Sequence, residues 1–264
     1  MKLLGQLRKM NAEAQNPITY FLNLDKNSYP LNPHIGKSMG LKWAGTITCI
    51  ECGRKTRKSY DQGYCFVCSR DLPENAMCSF RPELCVHEKG NEADREFWRT
   101  HCNVDHFVYL SLTSGVKVGI TRHTNIPDRW IDQGAIRGLI IARVPERVLS
   151  GQIEVALAKH FADKTNWRKM LKGGVEEVDL LALRDEAHQL FPEALKCYAV
   201  EDGQVQQLVY PVESVPEKIT SHNLDKIPEF TDRLTGIKGQ YLIFEQRVIN
   251  LRKYSGYHIE FDCH

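Results

Sequence analysis

Seven of the nine cysteines lie within a stretch of 54 residues, and this feature constrains the fold more than any other. The first four form the pairs Cys49–Cys52 and Cys65–Cys68, each with two residues between its members. This spacing lets both sulfurs of a pair face one ion, and the twelve residues between the pairs are enough for a hairpin. Gly53 follows the first pair, where a tight turn favours a residue without a Cβ. The pattern predicts a zinc ribbon in which four thiolates hold one structural ion.

The next three cysteines form a second, sparser set that requires a histidine to complete a metal site. The Cys-x3-His spacing at residues 102–106 suits a short turn, so we expect a second zinc ion. Its predicted ligands are Cys78, Cys85, Cys102 and His106. His87 and His101 are alternative fourth ligands, and free buried thiols are the alternative to a second metal site.

Length and composition indicate an ordinary globular protein. A chain of 264 residues can bury a core without disulfides, and 42% hydrophobic and 26% charged residues are typical of folded domains. This composition excludes collagen-like, coiled-coil, mucin-like and disordered classes. No apolar run approaches the roughly 20 residues of a membrane helix. Arg8 and Lys9 interrupt the first apolar stretch, which argues against a signal peptide and predicts a cytoplasmic location.

Charge is unevenly distributed, although the net charge is only +2. Residues 1–70 carry +7 and residues 117–172 carry +6, whereas residues 71–116 and 173–264 carry −4 and −7. Two basic blocks favour a surface that faces nucleic acid, and chance sorting of charge onto solvated faces is the alternative. The predicted nucleic-acid contacts are Arg54, Lys55, Arg57, Lys58, Arg122, Arg168 and Lys169.

The stretch 107–171 alternates short strand-forming runs with helical ones. Its predicted elements are strands at 107–112, 116–121 and 138–144, a helix near Pro127, a helix from Pro145, and a short basic helix at 163–171. This order, with Val108-Tyr109-Leu110 on the first strand and Lys117-Val118-Gly119-Ile120-Thr121 on the second, resembles the GIY-YIG nuclease superfamily. The resemblance implies a phosphodiester-cleaving site with one divalent metal. The matching residues are Tyr109, Gly119, Arg129, Glu154 and Asn166.

Elementary chemistry gives these residues roles. Glu154 could hold Mg²⁺, which prefers oxygen ligands, and Arg129 could pair with two phosphate oxygens. Tyr109 could accept a proton from water if neighbouring cations lower its pKa from about 10. Further candidates are Lys117 and Arg122 as phosphate holders and Asn166 as a partner of Glu154. The ordinary alternatives are a solvated helix residue for Glu154, a core aromatic for Tyr109 and an ion pair with Asp132 for Arg129.

Both ends of the chain are rich in predicted strands, which we expect to pair with one another. The predicted elements outside the central stretch are strands at 18–24, 41–48, 195–200, 205–210, 241–245 and 247–251 and a helix at 176–191. The expected fold is α+β, with a β segment and zinc ribbon, a Cys/His-rich linking segment, a GIY-YIG-like module of three strands and helices, and a β-rich region. Their predicted bounds are 1–72, 73–106, 107–192 and 193–264.

The whole chain also resembles an uncharacterised bacterial family of zinc-ribbon proteins. The residues that carry this resemblance are Gly119 to Arg122, Arg129 to Ala135, Asp163 to Leu171 and Gly236 to Leu242. We therefore expect a nucleic-acid-binding protein with structural zinc and a Mg²⁺-dependent endonuclease module. Val118 replaces the tyrosine of the second nuclease motif, so a non-catalytic nucleic-acid-binding module is an alternative, and a protein-interaction scaffold is another. The choice between DNA and RNA and the oligomeric state stay open.

Overall fold

The computed structural model describes residues 2–161 and 165–263, and the chain divides into two compact units. The terminal unit combines Met1–Asp71 with Val209–His264, and the central unit is Leu72–Leu208. The two predicted β-rich ends thus share one unit. The Cys/His-rich segment shares the other unit with the predicted central module. The fold is mixed α+β, as predicted.

The described part of the chain begins and ends with strands, and its α-helices lie between residues 66 and 189. The strands are β1 (Lys2–Gln6), β2 (Asn11–Glu13), β3 (Thr19–Leu24), β4 (Asn27–Pro30), β5 (Ser38–Ile47), β6 (His106–Leu112), β7 (Val116–Arg122), β8 (Arg137–Val144), β9 (Gln206–Gln207), β10 (Glu229–Lys238), β11 (Tyr241–Phe244), β12 (Val248–Asn250) and β13 (Tyr257–Cys263). The α-helices are α1 (Phe66–Asp71), α2 (Glu92–Phe97), α3 (Asp128–Asp132), α4 (Arg147–Leu157), α5 (Trp167–Lys172) and α6 (Leu180–Gln189). Of the helices described, none is long and apolar enough to span a bilayer.

A six-stranded antiparallel sheet in the order β1-β13-β5-β10-β11-β12 organises the terminal unit. Strand β5 lies between two strands from the C-terminal part, so Leu41 pairs with Phe261 on one side and Phe230 on the other. All three side chains are buried, which gives this long-range pairing its hydrophobic stabilisation. The expected pairing of the two ends is therefore confirmed. Strand β3 belongs to a separate three-stranded sheet with β2 and β4.

The central unit contains a four-stranded antiparallel sheet in the order β7-β6-β8-β9. Val108 and Leu110 of β6 pack with Ile153 and Leu157 of α4 in one buried cluster. Because side chains alternate along a strand, the intervening Tyr109 avoids this cluster and packs against another aromatic ring. The predicted order of strands and helices from residue 107 is confirmed. The predicted start of the last helix, at Asp163 and Lys164, lies outside the described residues.

Two predicted strands after α6 are wrong in whole or in part. Residues 195–200 were expected to be extended, but Glu193–Tyr198 forms a 3-10 helix. Pro192 begins this turn, the next residues are good helix formers, and Leu195 is buried by the helical geometry. Within 205–210 the strand is limited to β9, because Gln206 and Gln207 are the residues that pair with β8.

The Cys/His-rich segment is part of the central unit and packs on α4. It consists of 3-10 helices at Pro73–Asn75, Met77–Ser79, Pro82–Leu84 and His87–Lys89, then α2 and a π-helical turn at Trp98–Cys102. A Cβ on Gly151 of α4 would lie 2.5 Å from the backbone nitrogen of Glu83. Glycine is therefore needed at this crossing, and the segment lies directly on the helix that carries Glu154.

Candidate metal centres and active site

Four cysteine sulfurs meet just beyond the end of β5 in the terminal unit. The Sγ atoms of Cys49, Cys52, Cys65 and Cys68 all lie within 4.8 Å of one another, and those of Cys52 and Cys65 are 3.8 Å apart. Sulfurs bound tetrahedrally to zinc at about 2.3 Å are about 3.8 Å from each other. The predicted clustering of these four cysteines is confirmed, and it is compatible with structural zinc.

The local backbone forms a tight turn and hydrogen bonds that favour binding of a cation by these sulfurs. Gly53 has a φ of +70° and donates its N–H to the Cys49 carbonyl at 3.1 Å, which closes the first turn. Burial opposes ionisation of Cys49, but backbone N–H groups of the two pairs lower the pKa of its thiol to about 6. Burial and the neighbouring sulfurs raise the pKa of Cys68. Ionisation of all four neighbouring thiols is unfavourable because their negative charges repel one another, and a bound cation would offset this repulsion.

Hydrogen bonds attach this cluster to the strands around it. The Gln6 side chain donates to the Thr48 carbonyl at 2.9 Å and to the Thr48 hydroxyl at 2.7 Å. The same hydroxyl lies 2.8 Å from Nε2 of His258, and Arg8 donates to the Ile50 carbonyl at 2.8 Å. Strands β1 and β13 therefore fix the position of the first cysteine pair.

The segment between the two cysteine pairs exposes positive charge beside aromatic rings. Nζ of Lys58 lies 5.1 Å above the ring of Tyr60, which meets Phe66 edge-on at 5.7 Å. Phe66 is 55% exposed. The predicted contacts of this segment are all exposed: Arg54, Lys55, Arg57 and Lys58. Exposed cations and aromatic rings of this kind are groups that can contact phosphates and stack on bases.

A second cluster of metal-ligating side chains lies in the Cys/His-rich segment. The ligand atoms of Cys78, Cys85 and His87 all lie within 4.8 Å of one another. Sγ of Cys78 is 3.0 Å from Nε2 of His87, and Sγ of Cys85 is 3.7 Å from Sγ of Cys102. The other ring nitrogen of His87 is 3.0 Å from a carboxylate oxygen of Asp94. The structure therefore groups Cys78, Cys85 and the alternative histidine, His87, and places Cys102 beside Cys85.

The preferred histidine, His106, is not in this group among the residues that the structure describes. It is buried at the start of β6, between Arg122 of β7 and Val144 of β8. Its Nδ1 lies 2.7 Å from the Val104 carbonyl, and burial lowers its pKa to about 4. His106 therefore pairs within the sheet, whereas His87 is the histidine whose ligand atom lies within 4.8 Å of those of Cys78 and Cys85. The third candidate, His101, stacks on a phenylalanine ring at 4.3 Å.

Tyr109, the first residue of the predicted nuclease site, is completely buried. It faces Gly119 across the β6–β7 pair, and a Cβ on that glycine would lie 2.6 Å from the Tyr109 hydroxyl oxygen. The hydroxyl donates to Oε1 of Gln133 at 3.2 Å and lies within electrostatic range of the Arg129 guanidinium. Burial raises the pKa of Tyr109 even though the Arg129 charge opposes the shift. The lowered pKa that a Tyr109 base would need is therefore not found, because desolvation outweighs the neighbouring cation.

Charged side chains gather around Glu154, which is half-buried in α4. Burial raises the pKa of Glu154 to about 7, the positive charge of Arg129 opposes this, and the nearby Glu83 carboxylate reinforces it. Lys117, which is buried, adds a second opposing charge. Nε of Arg129 is buried without a hydrogen-bond partner among the described residues. An unsatisfied buried N–H is costly, so this nitrogen is suited to an oxygen of a bound anion.

Asn166, Arg168 and Lys169 lie at the start of α5. Oδ1 of Asn166 accepts the backbone N–H groups of Arg168 at 3.1 Å and Lys169 at 3.2 Å, so its side chain caps the helix. The guanidinium of Arg168 lies 4.2 Å from the Trp167 ring centre. Arg168 and Lys169 are exposed, as a nucleic-acid contact must be.

Sequence reasoning missed three residues near these sites. Gln133 is four positions after Arg129, about one helical turn, so the two side chains lie on the same side of the helix. Helical spacing could therefore have indicated Gln133, together with Arg129, as a neighbour of Tyr109. Arg147, at the start of α4, influences both Glu154 and Cys102, and the predicted phosphate holder Arg122 also lies within range of Cys102. Glu83 reaches Glu154 only through the packing of its segment on α4, which no local pattern reveals.

The comparisons with known proteins give the chain a family. A family model matches residues 36–259, a range that includes both cysteine clusters and the residues around Glu154. The chain belongs to the DUF2797 family of proteins of unknown function. The predicted membership in an uncharacterised family is thereby confirmed. Neither the curated proteins nor the solved structures contain a match. The resemblance of the central module to GIY-YIG nucleases stays a prediction.

Proposed function

We propose that this protein binds nucleic acid and cleaves a phosphodiester bond at the central-unit site formed around Tyr109, Arg129 and Glu154. The observation that carries this proposal is the convergence of a guanidinium and a carboxylate around one phenol, from three separate elements of the fold. The Arg129 Nε that lacks a partner supports an anionic ligand at this place.

Each side chain has a role that follows from its surroundings. Arg129 pairs with phosphate oxygens as negative charge develops, and the buried ammonium of Lys117 strengthens the positive field. Tyr109 acts as a positioning residue for Arg129 and Gln133, because its raised pKa makes it a poor base near neutrality.

The carboxylate of Glu154 fits a hard divalent cation such as Mg²⁺, with Glu83 as a second nearby carboxylate. When bound, the cation supplies Lewis-acid stabilisation to the phosphate and the leaving oxygen. Two acidic groups near one another in a half-buried place are unfavourable without positive charge, so the donor set of the site is suited to a cation.

The terminal unit contributes binding under this proposal. A zinc ion held by the four clustered thiolates keeps the basic segment between the cysteine pairs in a fixed conformation. Its exposed cations then contact the phosphate backbone without reading sequence. The exposed Arg168 and Lys169 of α5 add charge of the same sign in the central unit.

The decisive experiment measures nicking of supercoiled plasmid and cleavage of structured RNA by the zinc-loaded full chain in Mg²⁺. Cleavage is expected for the wild type and a loss of at least about 100-fold for Glu154→Gln, since one electrostatic group in an active site is commonly worth that much. Glu186→Gln is the matched control, because Glu186 is an exposed glutamate on helix α6 of the same unit. Equal cleavage by both variants would refute the assignment.

The burial of the Tyr109 phenol and the valine at position 118 favour a second candidate, nucleic-acid binding without turnover. In that case the protein binds DNA or RNA with an affinity that falls steeply with salt but cleaves neither in any divalent metal. Glu154→Gln then leaves binding unchanged, whereas charge reversal of Lys55 and Lys58 weakens it. Absence of binding at low salt would contradict both candidates.

A further inference from the structure

We propose that the central unit holds a second zinc ion, bound by Cys78, Cys85, His87 and Cys102, which fixes the Cys/His-rich segment against helix α4. This inference is independent of the proposed cleavage activity, because it concerns a structural ion and a different set of side chains.

Two donor pairs have spacings close to those of a tetrahedral S₃N site, and Cys102 joins the group of Cys78, Cys85 and His87 through its contact with Cys85. Sγ of Cys85 and Sγ of Cys102 are 3.7 Å apart, against about 3.8 Å for two sulfurs bound to one zinc ion. Sγ of Cys78 and Nε2 of His87 are 3.0 Å apart, and about 3.6 Å is needed around the ion. A side-chain shift of about half an ångström therefore completes the coordination of this pair.

His87 is oriented as a metal ligand by Asp94. Its Nδ1 lies 3.0 Å from Oδ1 of Asp94, so the proton sits on that nitrogen and leaves the Nε2 lone pair toward Cys78. Asp94 is itself held in a capping box, in which its other carboxylate oxygen accepts the Asn91 N–H at 3.1 Å. A carboxylate that fixes the tautomer of a buried histidine is a common outer partner of zinc sites.

The charge around the cluster also fits. Three thiolates, a neutral imidazole and Zn²⁺ sum to one negative charge, which needs a nearby cation when it is half-buried. Arg147 and Arg122 both lie within electrostatic range of the Cys102 sulfur. Both arginines come from the sheet-and-helix part of the central unit, so they also attach the segment to it.

The packing shows what the ion would hold in place. The 3-10 helix Pro82–Leu84 lies between Cys78 and Cys85 in sequence and is the part that touches Gly151. Gly151 is three positions before Glu154 on α4, which is nearly one helical turn. An ion that joins the two ends of this loop therefore keeps Glu83 beside Glu154.

The test is the zinc content of the purified full chain, measured by mass spectrometry of the metal and of the intact protein under non-reducing conditions. Two zinc ions per chain are expected for the wild type. His87→Gln should retain one, His106→Gln should retain two, and Cys52→Ser should lose the other ion. His87→Cys is the folding control, because it restores a fourth ligand and should retain two ions.

Asp94→Asn should hold both ions but weaken the second by about 10–100-fold in a chelator competition, because the outer partner is lost. A wild-type chain with one zinc ion would overturn the proposal. So would a disulfide between Cys85 and Cys102 in the fresh protein, or a His106→Gln variant that loses an ion while His87→Gln keeps two. None of these outcomes depends on whether nucleic acid is cleaved.

Discussion

Replacing Gly119 by alanine tests whether the phenol of Tyr109 must lie directly over the neighbouring strand. A Cβ at position 119 would sit 2.6 Å from the hydroxyl oxygen and 2.7 Å from Cζ of that ring. An unstrained contact is about 3.4 Å or more, so the ring must move by roughly 0.7–0.8 Å inside a packed core. Because the tyrosine is completely buried, this overpacking should cost about 1–3 kcal/mol of unfolding free energy.

The assay is urea unfolding of the full chain together with hydrogen exchange of the amides in β6 and β7. Gly115→Ala is the matched control, since it changes the turn between the same two strands and its Cβ would meet no atom within 4 Å. It should cost less than about 0.5 kcal/mol. In a Tyr109→Leu background the cost of Gly119→Ala should largely disappear, which gives a coupling energy of similar size. A Gly119→Ala protein as stable as Gly115→Ala would refute the placement of the ring.

Three further predictions concern other parts of the molecule. Cys52→Ser should destabilise the terminal unit by several kcal/mol while the hydrogen exchange of β6 amides stays unchanged, because this cysteine belongs to the terminal unit and the substitution leaves the proposed second zinc site intact. Burial lowers the pKa of Lys238 to about 8, so the unfolded chain binds more protons between about pH 8 and 10.5 and stability rises with pH there. Lys238→Met should therefore be more stable than wild type at pH 7, by at most about 3 kcal/mol, with the gap closing toward pH 10 in urea titrations. Asn166→Ala should cost about 1 kcal/mol and Asn166→Asp almost nothing, because aspartate keeps the cap; equal losses in thermal unfolding would contradict the capping role.

Local patterns in the sequence predicted the elements that depend on residues only a few positions apart. The spacing of Cys49 and Cys52 predicted a turn with both sulfurs on one side, and the structure has this turn. The run of strand-forming residues at 107–112 predicted β6, a strand that the structure buries on both faces. These patterns depend on residues a few positions apart, so the sequence alone carries the information.

Local spacing did not predict that His87, and not His106, lies beside Cys78 and Cys85. Both histidines lie close in sequence to a predicted cysteine ligand, and spacing alone favoured His106. The deciding factor is that β6 extends back to His106 and pairs it with Arg122 and Val144 on both sides. Pairing with neighbours on both sides fixes the backbone of His106, and this constraint depends on strand register that no local spacing encodes.

The same distinction separates the two kinds of site in this protein. The Cys₄ cluster is defined by residues 49–68, so a metal can help to fold it and the sequence reveals it directly. The site around Glu154 exists only after β6, α3 and α4 have assembled, since its phenol, guanidinium and carboxylate come from one element each. Its charges then lie in a half-buried place that raises the pKa of the carboxyl group instead of stabilising its ionised form. Folding alone does not favour such an arrangement, because desolvation of the carboxylate and the unsatisfied Arg129 N–H both cost free energy. That cost is the physical reason to expect a ligand that supplies both a cation and anionic oxygens at this site.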